Sequence, residues 1–545
     1  MKIALAQLNF HIGNFEGNTE KMLNAVRQAK ADGVDLICFP ELATCGYPPR
    51  DFLEFDDFIV LAEKSVERLA AVSNDIGIIV GSPSHNPQIE GKDLFNTAFF
   101  LHGGGVIAKQ HKALLPTYDV FDEYRYFEPA TEFKTVEFKG KKIAMTVCED
   151  IWNVGNQNPM YTICPLDEVM DDQPDVVINI SASPFSYEQA STRIHVVREN
   201  TLRYKAPLFY VNHIGAQTEL IFDGGSLVMT ADGKVYDEMP YFKEKVNIYD
   251  LDAVNNDAGP GEREKDKLEL IHDALVLGVR DYFGKLGFKK AILGLSGGID
   301  SALTAVILCR ALGPENVTGI LMPSHFSSTH SVEDAKQLAL NLGMNQELIG
   351  IEDIYHKYID TLRPFFKGMP FNVTEENIQA RIRGMLLMAF SNKLGPILVN
   401  TTNKSEMAVG YGTLYGDLCG GLSVLGDVYK TEVFALSRWI NRDGEIIPEN
   451  TIVKPPSAEL RPDQKDSDSL PEYDILDKIL YQYIEERKDP ADIIASGFDE
   501  KVVRKALRLV NMNEFKRYQT APVLRVSPKA FGIGRRVPIV GKYLI

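Results

Sequence analysis

The stretch Ala291–Leu312, AILGLSGGIDSALTAVILCRAL, leaves a chain few ways to fold. A short apolar run ends in Ser-Gly-Gly, and an apolar pattern of helical spacing follows almost at once. Strand, glycine turn and helix in direct succession open a βαβ unit, and such units build parallel sheets covered by helices on both faces. Gly297 and Gly298 permit the tight turn and the close approach of backbone to a ligand. The first N–H groups of the helix have no intrahelical partner, so the turn favours an anion.

The pattern continues downstream. ALTAVILCRAL, VEDAKQLALNLG and NIQARIRGMLLMAFSNK read as helices, and PILVNT as a further strand. The second half is therefore expected to be a doubly wound parallel sheet. Upstream, the runs KIALAQL, VDLICFP, IGIIVGS, TAFFLH, KIAMTVCED, DVVINISA and APLFYVN read as strands, with helical patterns at Thr19–Ala31 and Asp57–Val72. Between the halves, Leu251–Lys267 (LDAVNNDAGPGEREKDK) combines turn residues with a charged run and reads as a linker. The expected organisation is residues 1–250 as one domain, 251–267 as linker and 268–545 as the second domain. A 545-residue chain accommodates domains of that size.

Charge narrows the partners. The chain holds 58 basic and 75 acidic residues, a net charge of −17, which disfavours non-specific contact with nucleic acid or anionic membrane. The 6 cysteines form no C-x-x-C pair and lie beside no histidine at zinc-ligand spacing. They fit a reducing, cytoplasmic setting rather than a disulfide framework. MKIALAQLNF reads as a first strand rather than a signal peptide, and no apolar run is long enough to span a bilayer.

The glycine turn carries an anomaly. In the G-x-x-x-x-G-K-[ST] loop a lysine reaches the β- and γ-phosphates. Here Asp300 stands near that place. A carboxylate repels phosphate unless a cation lies between them, so Asp300 reads as a Mg²⁺ ligand. Glu406, in NTTNKSEMAVG after the strand PILV, could complete the metal shell. Arg381 and Arg383 lie in ENIQARIRG. Lys516, Arg517, Lys529, Arg535 and Arg536 crowd the C-terminal region, as either a solvated basic tail or a clamp on an anionic ligand. Pro455–Pro471 (PPSAELRPDQKDSDSLP) reads as either a disordered surface loop or an active-site lid.

In the first half three residues each follow an apolar run: Glu41 in FPEL, Lys112 in HKALLP and Cys148 in VCEDIW. Singly, each reads as an ordinary surface, capping or core residue. Together they supply a thiol nucleophile, a carboxylate base and an ammonium. A neighbouring ammonium is expected to lower the thiol pKa from about 8.5 toward roughly 3.5–7.5.

Glu, Lys and Cys in that order resemble the nitrilase superfamily of C–N hydrolases. GYPPRD and LPTYDVFDEYRYF resemble its glutamine-amidase branch. The resemblance covers most of Met1–Asp250 and implies an α-β-β-α sandwich in which Cys148 forms a thioester with glutamine and releases ammonia. It also implies that Tyr118, Glu123, Ser183 and Gln189 line the glutamine pocket. Relatives often have a basic residue at the Gln189 position, and Arg193 is the alternative here.

LGLSGGIDS resembles the PP-loop of the ATP pyrophosphatases, which release pyrophosphate after attack at the α-phosphate. With ENIQARIRG, NTTNKSEMAVG, YGTLYGDLCGG and LGDVYKTEV, residues from about 265 onward resemble the NAD synthetase family. That resemblance implies ATP and Mg²⁺ as co-substrate and cofactor, and nicotinate adenine dinucleotide (deamido-NAD) as acceptor. Gly294, Leu295, Ser296, Gly297, Gly298, Ile299, Asp300, Ser301 and Thr401 would hold ATP. Asn377, Glu406 and Lys516 would touch deamido-NAD, with Asp417 and Lys430 as further candidates, and Asp300 and Glu406 would hold the metal. The fold class implied is a nitrilase-like α-β-β-α sandwich followed by a Rossmann-like doubly wound parallel sheet of the ATP pyrophosphatase type.

The two halves explain each other. Ammonia at neutral pH is mostly ammonium, which is not a nucleophile, so a glutaminase on the same chain supplies the unprotonated form. Transfer through a protein passage, a glutaminase held slow until the synthetase site fills, and a homo-oligomer are expected. Two other readings stay open: a different glutamine-dependent amidotransferase acting through an adenylate, and a binding or regulatory protein whose halves have lost chemistry.

Overall fold

The structure, a computed structural model, describes residues 1–155, 159–462 and 464–543. The chain divides into two compact units, Met1–Lys265 and Asp266–Ile545.

The first unit contains two six-stranded sheets. One has strands Lys2–Gln7, Leu36–Cys38 and Gly77–His85 in parallel at its centre, flanked by Leu94–His102, Gly105–His111 and Lys245–Asp250 in antiparallel pairing. The other has Lys141–Val147, Val176–Ser181 and Leu208–Asn212 in parallel at its centre. These strands read as near-continuous apolar runs because both faces are covered. Ile3, Leu5 and Ile79 meet Ile143, Ile178 and Val211 in the core between the sheets. On one outer face, helices Phe15–Ala31 and Asp56–Ala71 set Met22, Val26 and Leu69 against Ala4, Ile37 and Ile78. On the other, helix Gln189–Tyr204 sets Ile194 and Val197 against Ala144 and Val177. The layering is helix, sheet, sheet, helix.

The linker expectation needs a correction. Residues 251–256 form a helix whose N-cap Asp250 accepts from Asp252 N–H, and Leu251 and Val254 lie in the core between the sheets. Further on, Arg263 and Lys265 hydrogen-bond to Glu238. The turn-rich, charged composition is real, but two buried apolar side chains and the Glu238 carboxylate anchor the segment to the first unit.

The second unit has a five-stranded sheet in the order Asn345–Leu348, Val317–Leu321, Ala291–Gly294, Ile397–Asn400, Leu422–Ser423. Every pairing is parallel. Strand order reverses between Ala291–Gly294 and Ile397–Asn400, and ligands of such sheets bind in the crevice at the carboxyl ends there. Helix Ile299–Leu312 leaves the first of these strands, and helix Lys404–Val409 follows the second. Helices Glu352–Phe366 and Val373–Leu394 cover one face, packing Tyr355, Ile378 and Ile382 against Ile292 and Leu398. Beyond the sheet, helices Tyr473–Ile484 and Glu500–Met512 build a further core around Leu476, Leu480, Val503 and Leu507.

Candidate functional site

Cys148 ends the strand Lys141–Val147 and opens a 3₁₀ turn, Cys148–Ile151. Its φ is +44°, in the left-handed region that non-glycine residues rarely occupy. Asp150 supports this turn. One carboxylate oxygen accepts from Val147 N–H at 2.9 Å, and the other accepts from the N–H groups of Ala113 and Leu114, also at 2.9 Å each. A single buried carboxylate thus ties the cysteine turn to the segment that carries Lys112. Burial pushes the Asp150 pKa up to about 6 against those backbone donors.

Glu41 follows the strand Leu36–Cys38, and Gly81 of the neighbouring strand lets its backbone in. A Cβ on Gly81 would stand 2.3 Å from Leu42 N and 2.6 Å from Glu41 Cα. Glu41 Oε1 accepts from Lys112 Nζ and from Asn96 Nδ2, each at 2.7 Å, and Oε2 accepts from Ala182 N–H at 2.9 Å. Lys112 also pairs with Glu123 at 2.7 Å, and Tyr47 Oη donates to Glu123 at 2.7 Å. Glu41 and Lys112 are both 0% exposed. Burial pushes the Lys112 ammonium toward neutrality, but Glu123 and Glu41 outweigh it and hold the proton on. Burial also raises the Glu123 pKa, with Lys112 opposing.

The expected low thiol pKa is overturned. Burial and the Glu41 carboxylate push the Cys148 thiol well up, against the pull of Lys112. The physical reason is that the single ammonium already faces two carboxylates, so it has little net field left for a thiolate. The thiol keeps its proton at rest, and a base must remove it.

Around this centre Tyr118 Oη and Tyr161 Oη donate to Glu149 Oε1 at 2.8 and 3.1 Å. Gln189 Nε2 donates to Ser183 Oγ at 3.2 Å. Arg193 is engaged elsewhere: it pairs with Asp223 at 2.8 Å and donates to the carbonyls of Gly224 and Gly225. Gln189, not Arg193, is therefore the one beside Ser183. Glu123, expected in the glutamine pocket, has its carboxylate on Lys112. Sequence reasoning passed over Tyr47, Asn96, Glu149 and Asp150. The last two sit inside VCEDIW, and acidic residues directly after a candidate nucleophile were the available signal.

In the second unit the loop after Ala291–Gly294 curls back on itself. Ser301 Oγ donates to Gly298 O at 2.9 Å, and Gly298 N–H donates to Ser296 Oγ at 3.1 Å. Gly297 has φ +80°, and a Cβ there would lie 2.1 Å from Ser331 O, so only glycine fits. No side chain caps the helix that starts at Ile299. Gly294–Ser296, Gly298–Ser301 and Thr401 line a cavity of about 310 Å³ at the carboxyl ends of the strands. An uncapped helix start facing a crevice favours an anion.

Asp300, Glu406 and Lys430 face this cavity together. Lys430 Nζ lies 2.5 Å from Asp300 and 3.4 Å from Glu406, and Asn403 Nδ2 donates to Asp300 at 2.8 Å. Burial and the Asp300 charge push Glu406 up to about 8, with Lys430 opposing. Two oxygen donors that repel each other beside the glycine loop fit a hard divalent cation such as Mg²⁺. Lys430 partly fills that electrostatic role.

The remaining candidates divide. Asn377 accepts from Thr413 Oγ1 at 2.8 Å, and Lys516 donates to the carbonyls of Gly410 and Gly412 at 2.8 and 2.9 Å. Asp417 lines the cavity and accepts from Thr413 N–H at 2.6 Å. Arg383 also lines it, and burial lowers its pKa to about 10. The C-terminal basic cluster is partly structural: Arg517 and Arg535 both pair with Glu514 at 2.7 Å, and Arg517 is buried. Pro455–Leu460 and Asp466 line the cavity, and Glu459 accepts from Ser328 and Ser331 hydroxyls at 2.9 and 2.8 Å. That segment is ordered against the site rather than a free surface loop; its Asp463 lies outside the described residues.

Comparison with known proteins covers both units. Residues 2–257 match the carbon-nitrogen hydrolase family and residues 271–520 the NAD synthase family. A Synechocystis protein named glutamine-dependent NAD(+) synthetase is 48% identical over 98% of each chain. One of the same name from Thermotoga maritima is 41% identical over 100% of this chain and 99% of its own. Among solved structures, the glutamine-dependent NAD+ synthetase of Acinetobacter baumannii, in complex with adenosine diphosphate, superposes with a TM-score of 0.79 at 40% identity, covering 99% of each chain. That of Cytophaga hutchinsonii shares the fold, with a TM-score of 0.84 at 22% identity over 99% of this chain and 98% of its own.

Proposed function

The chain belongs to the glutamine-dependent NAD(+) synthetases, and on that premise we propose how its side chains divide the reaction. The observation that carries the proposal is a pair of acid–lysine constellations, one buried beside a strained cysteine and one open to the cavity beside the glycine loop.

In the first unit, Glu41 takes the Cys148 proton as sulfur attacks the side-chain amide carbon of glutamine. Lys112 and neighbouring N–H groups stabilise the oxyanion. Glu41 returns the proton to the departing ammonia, leaving a thioester. Glu41 then takes a proton from water, which attacks the thioester and releases glutamate and the Cys148 thiol. The high resting pKa of the thiol makes the base essential rather than auxiliary. Tyr118, Ser183 and Gln189 border the substrate, and Glu123 keeps Lys112 charged and placed.

In the second unit, Gly294–Ser301 and Thr401 hold ATP. A nicotinate carboxylate oxygen of deamido-NAD attacks the α-phosphorus, and pyrophosphate leaves. Ammonia then attacks the adenylated carbonyl carbon, expelling AMP and giving the amide of NAD. Asp300 and Glu406 would hold Mg²⁺, which when bound supplies charge stabilisation to the pyrophosphate leaving group. Lys430 pairs with Asp300 between turnovers, and Asn377 and Lys516 orient the dinucleotide. Ammonia reaches this site through the protein in this reading, so added labelled ammonium would leave glutamine-derived NAD undiluted. The family likeness also implies a homo-oligomer, which light scattering tests. Among the described residues no helix is long and apolar enough to cross a membrane, and the six cysteines are free.

The test compares nitrogen donors. With ATP, Mg²⁺ and deamido-NAD, Cys148→Ala is expected to lose the glutamine-driven reaction by about 10³-fold or more while the ammonium-driven reaction persists. Asp300→Ala is expected to lose both. Loss of both in a folded Cys148→Ala protein would overturn the division of labour.

A further inference from the structure

Three side chains that neither proposed reaction uses converge on the second unit. Glu352 opens the helix Glu352–Phe366, and His356 lies one turn later on the same face. His325 comes from the turn after the strand Val317–Leu321. The Glu352 carboxylate bridges the two rings: one oxygen is 2.8 Å from His325 Nδ1 and the other 2.7 Å from His356 Nε2. His325 N–H also donates to the same carboxylate at 3.1 Å, which holds the turn over the helix start. The Phe326 ring packs on the His325 ring with centroids 3.7 Å apart. Ligand atoms of the three residues all lie within 4.8 Å of one another.

We infer that His325 Nδ1, the Glu352 carboxylate and His356 Nε2 form a binding site for a divalent transition-metal ion of the Zn²⁺, Co²⁺ or Ni²⁺ type. Two imidazoles and one carboxylate are the donor set that such ions take, with bonds of about 2.0–2.2 Å. Tetrahedral placement around one ion sets donor atoms about 3.3 Å apart, so modest side-chain rotations close the set. All three side chains are solvent-accessible, at 39–61% exposure, so an ion can reach them from solvent. Two nitrogen donors disfavour Mg²⁺, which prefers oxygen, so this site does not compete with Asp300 and Glu406 for the same ion. A bound ion would staple the turn to the helix. That turn includes Pro323 and Ser327, which line the nucleotide cavity, so the ion would stiffen one cavity wall.

The experiment is a Co²⁺ titration of the full-length protein, freed of metal by chelation and kept in excess Mg²⁺, followed by the visible ligand-field spectrum. One equivalent with nitrogen and oxygen ligation is expected. His356→Ala and His325→Ala should each weaken binding by about tenfold or more. Glu352→Gln, which keeps the side-chain volume, should do likewise, and circular dichroism checks that each variant is folded. Absence of binding by the wild type, thiolate charge-transfer bands, or unchanged affinity in folded His356→Ala and His325→Ala would overturn the assignment.

Discussion

The two sites place a lysine between carboxylates, and they do so to opposite ends. Lys112 sits 2.7 Å from Glu41 and 2.7 Å from Glu123, and none of the three side chains is more than 6% exposed. Lys430 sits 2.5 Å from Asp300 but 3.4 Å from Glu406, and those carboxylates are 17% and 16% exposed to the cavity. The first arrangement is closed, with Asn96, Tyr47 and Ala182 N–H completing the shell. Its lysine is a permanent fixture that keeps charge beside a thiol without ionising it. The second arrangement is loose and open, which suits carboxylates that exchange one cation for another. The same residue types thus make a fixed electrostatic centre when sealed and, on the function proposed above, a cation-exchange site when opened.

Removing each lysine tests that contrast most severely. Lys112→Met strands two buried carboxylates and is expected to cost about 3–5 kcal/mol of stability, read by urea unfolding, along with the glutamine-driven reaction. Lys430→Met should cost clearly less, and Mg²⁺ should raise its melting temperature more than that of the wild type. Equal costs for the two substitutions would erase the distinction.

Asp150→Asn is the next largest. An amide cannot accept from all three backbone donors while its NH₂ faces one of them, so a loss of about 1–3 kcal/mol is expected. Glutamine-driven synthesis should fall and ammonium-driven synthesis should stay. A fall in both would show that Asp150 serves more than the cysteine turn.

The smallest effect is a slope. Glu406 is raised from its ordinary 4.5 to about 8 by burial and Asp300. Between those values the folded state holds a proton that the unfolded state has lost, so stability falls as pH rises through the window. Glu406→Gln removes that term, and its melting temperature should vary less between pH 4.5 and 8 than the wild type's. An unchanged slope would mean that Lys430 fully neutralises Glu406.

Legibility differed between residues for physical reasons. Asp300 stood out because a carboxylate in a phosphate loop is an electrostatic contradiction that needs a cation. Glu41, Lys112 and Cys148 stood out because each ends an apolar run, where a sheet presents side chains. One edge strand was harder: Asn345–Leu348 is exposed throughout, leaving no apolar pattern to read. Arg535 looked like ligand-binding charge because its partner, Glu514, announces itself only through packing, whereas the i,i+3 pairing of Glu514 with Arg517 was legible and passed over.

The order of apolar runs and glycine turns was enough to determine two α/β units and to single out Glu41, Lys112, Cys148 and Asp300 as the candidate reacting groups. Local chemistry of that kind is written along the chain, since strand periodicity and loop φ depend on near neighbours. The ionisation of those groups was decided only by the tertiary structure. Whether Lys112 activates a thiolate or is neutralised by two acids depends on Glu123 and Glu41 arriving from distant segments. Electrostatic energy depends on distance and burial, and neither is a property of position in the sequence.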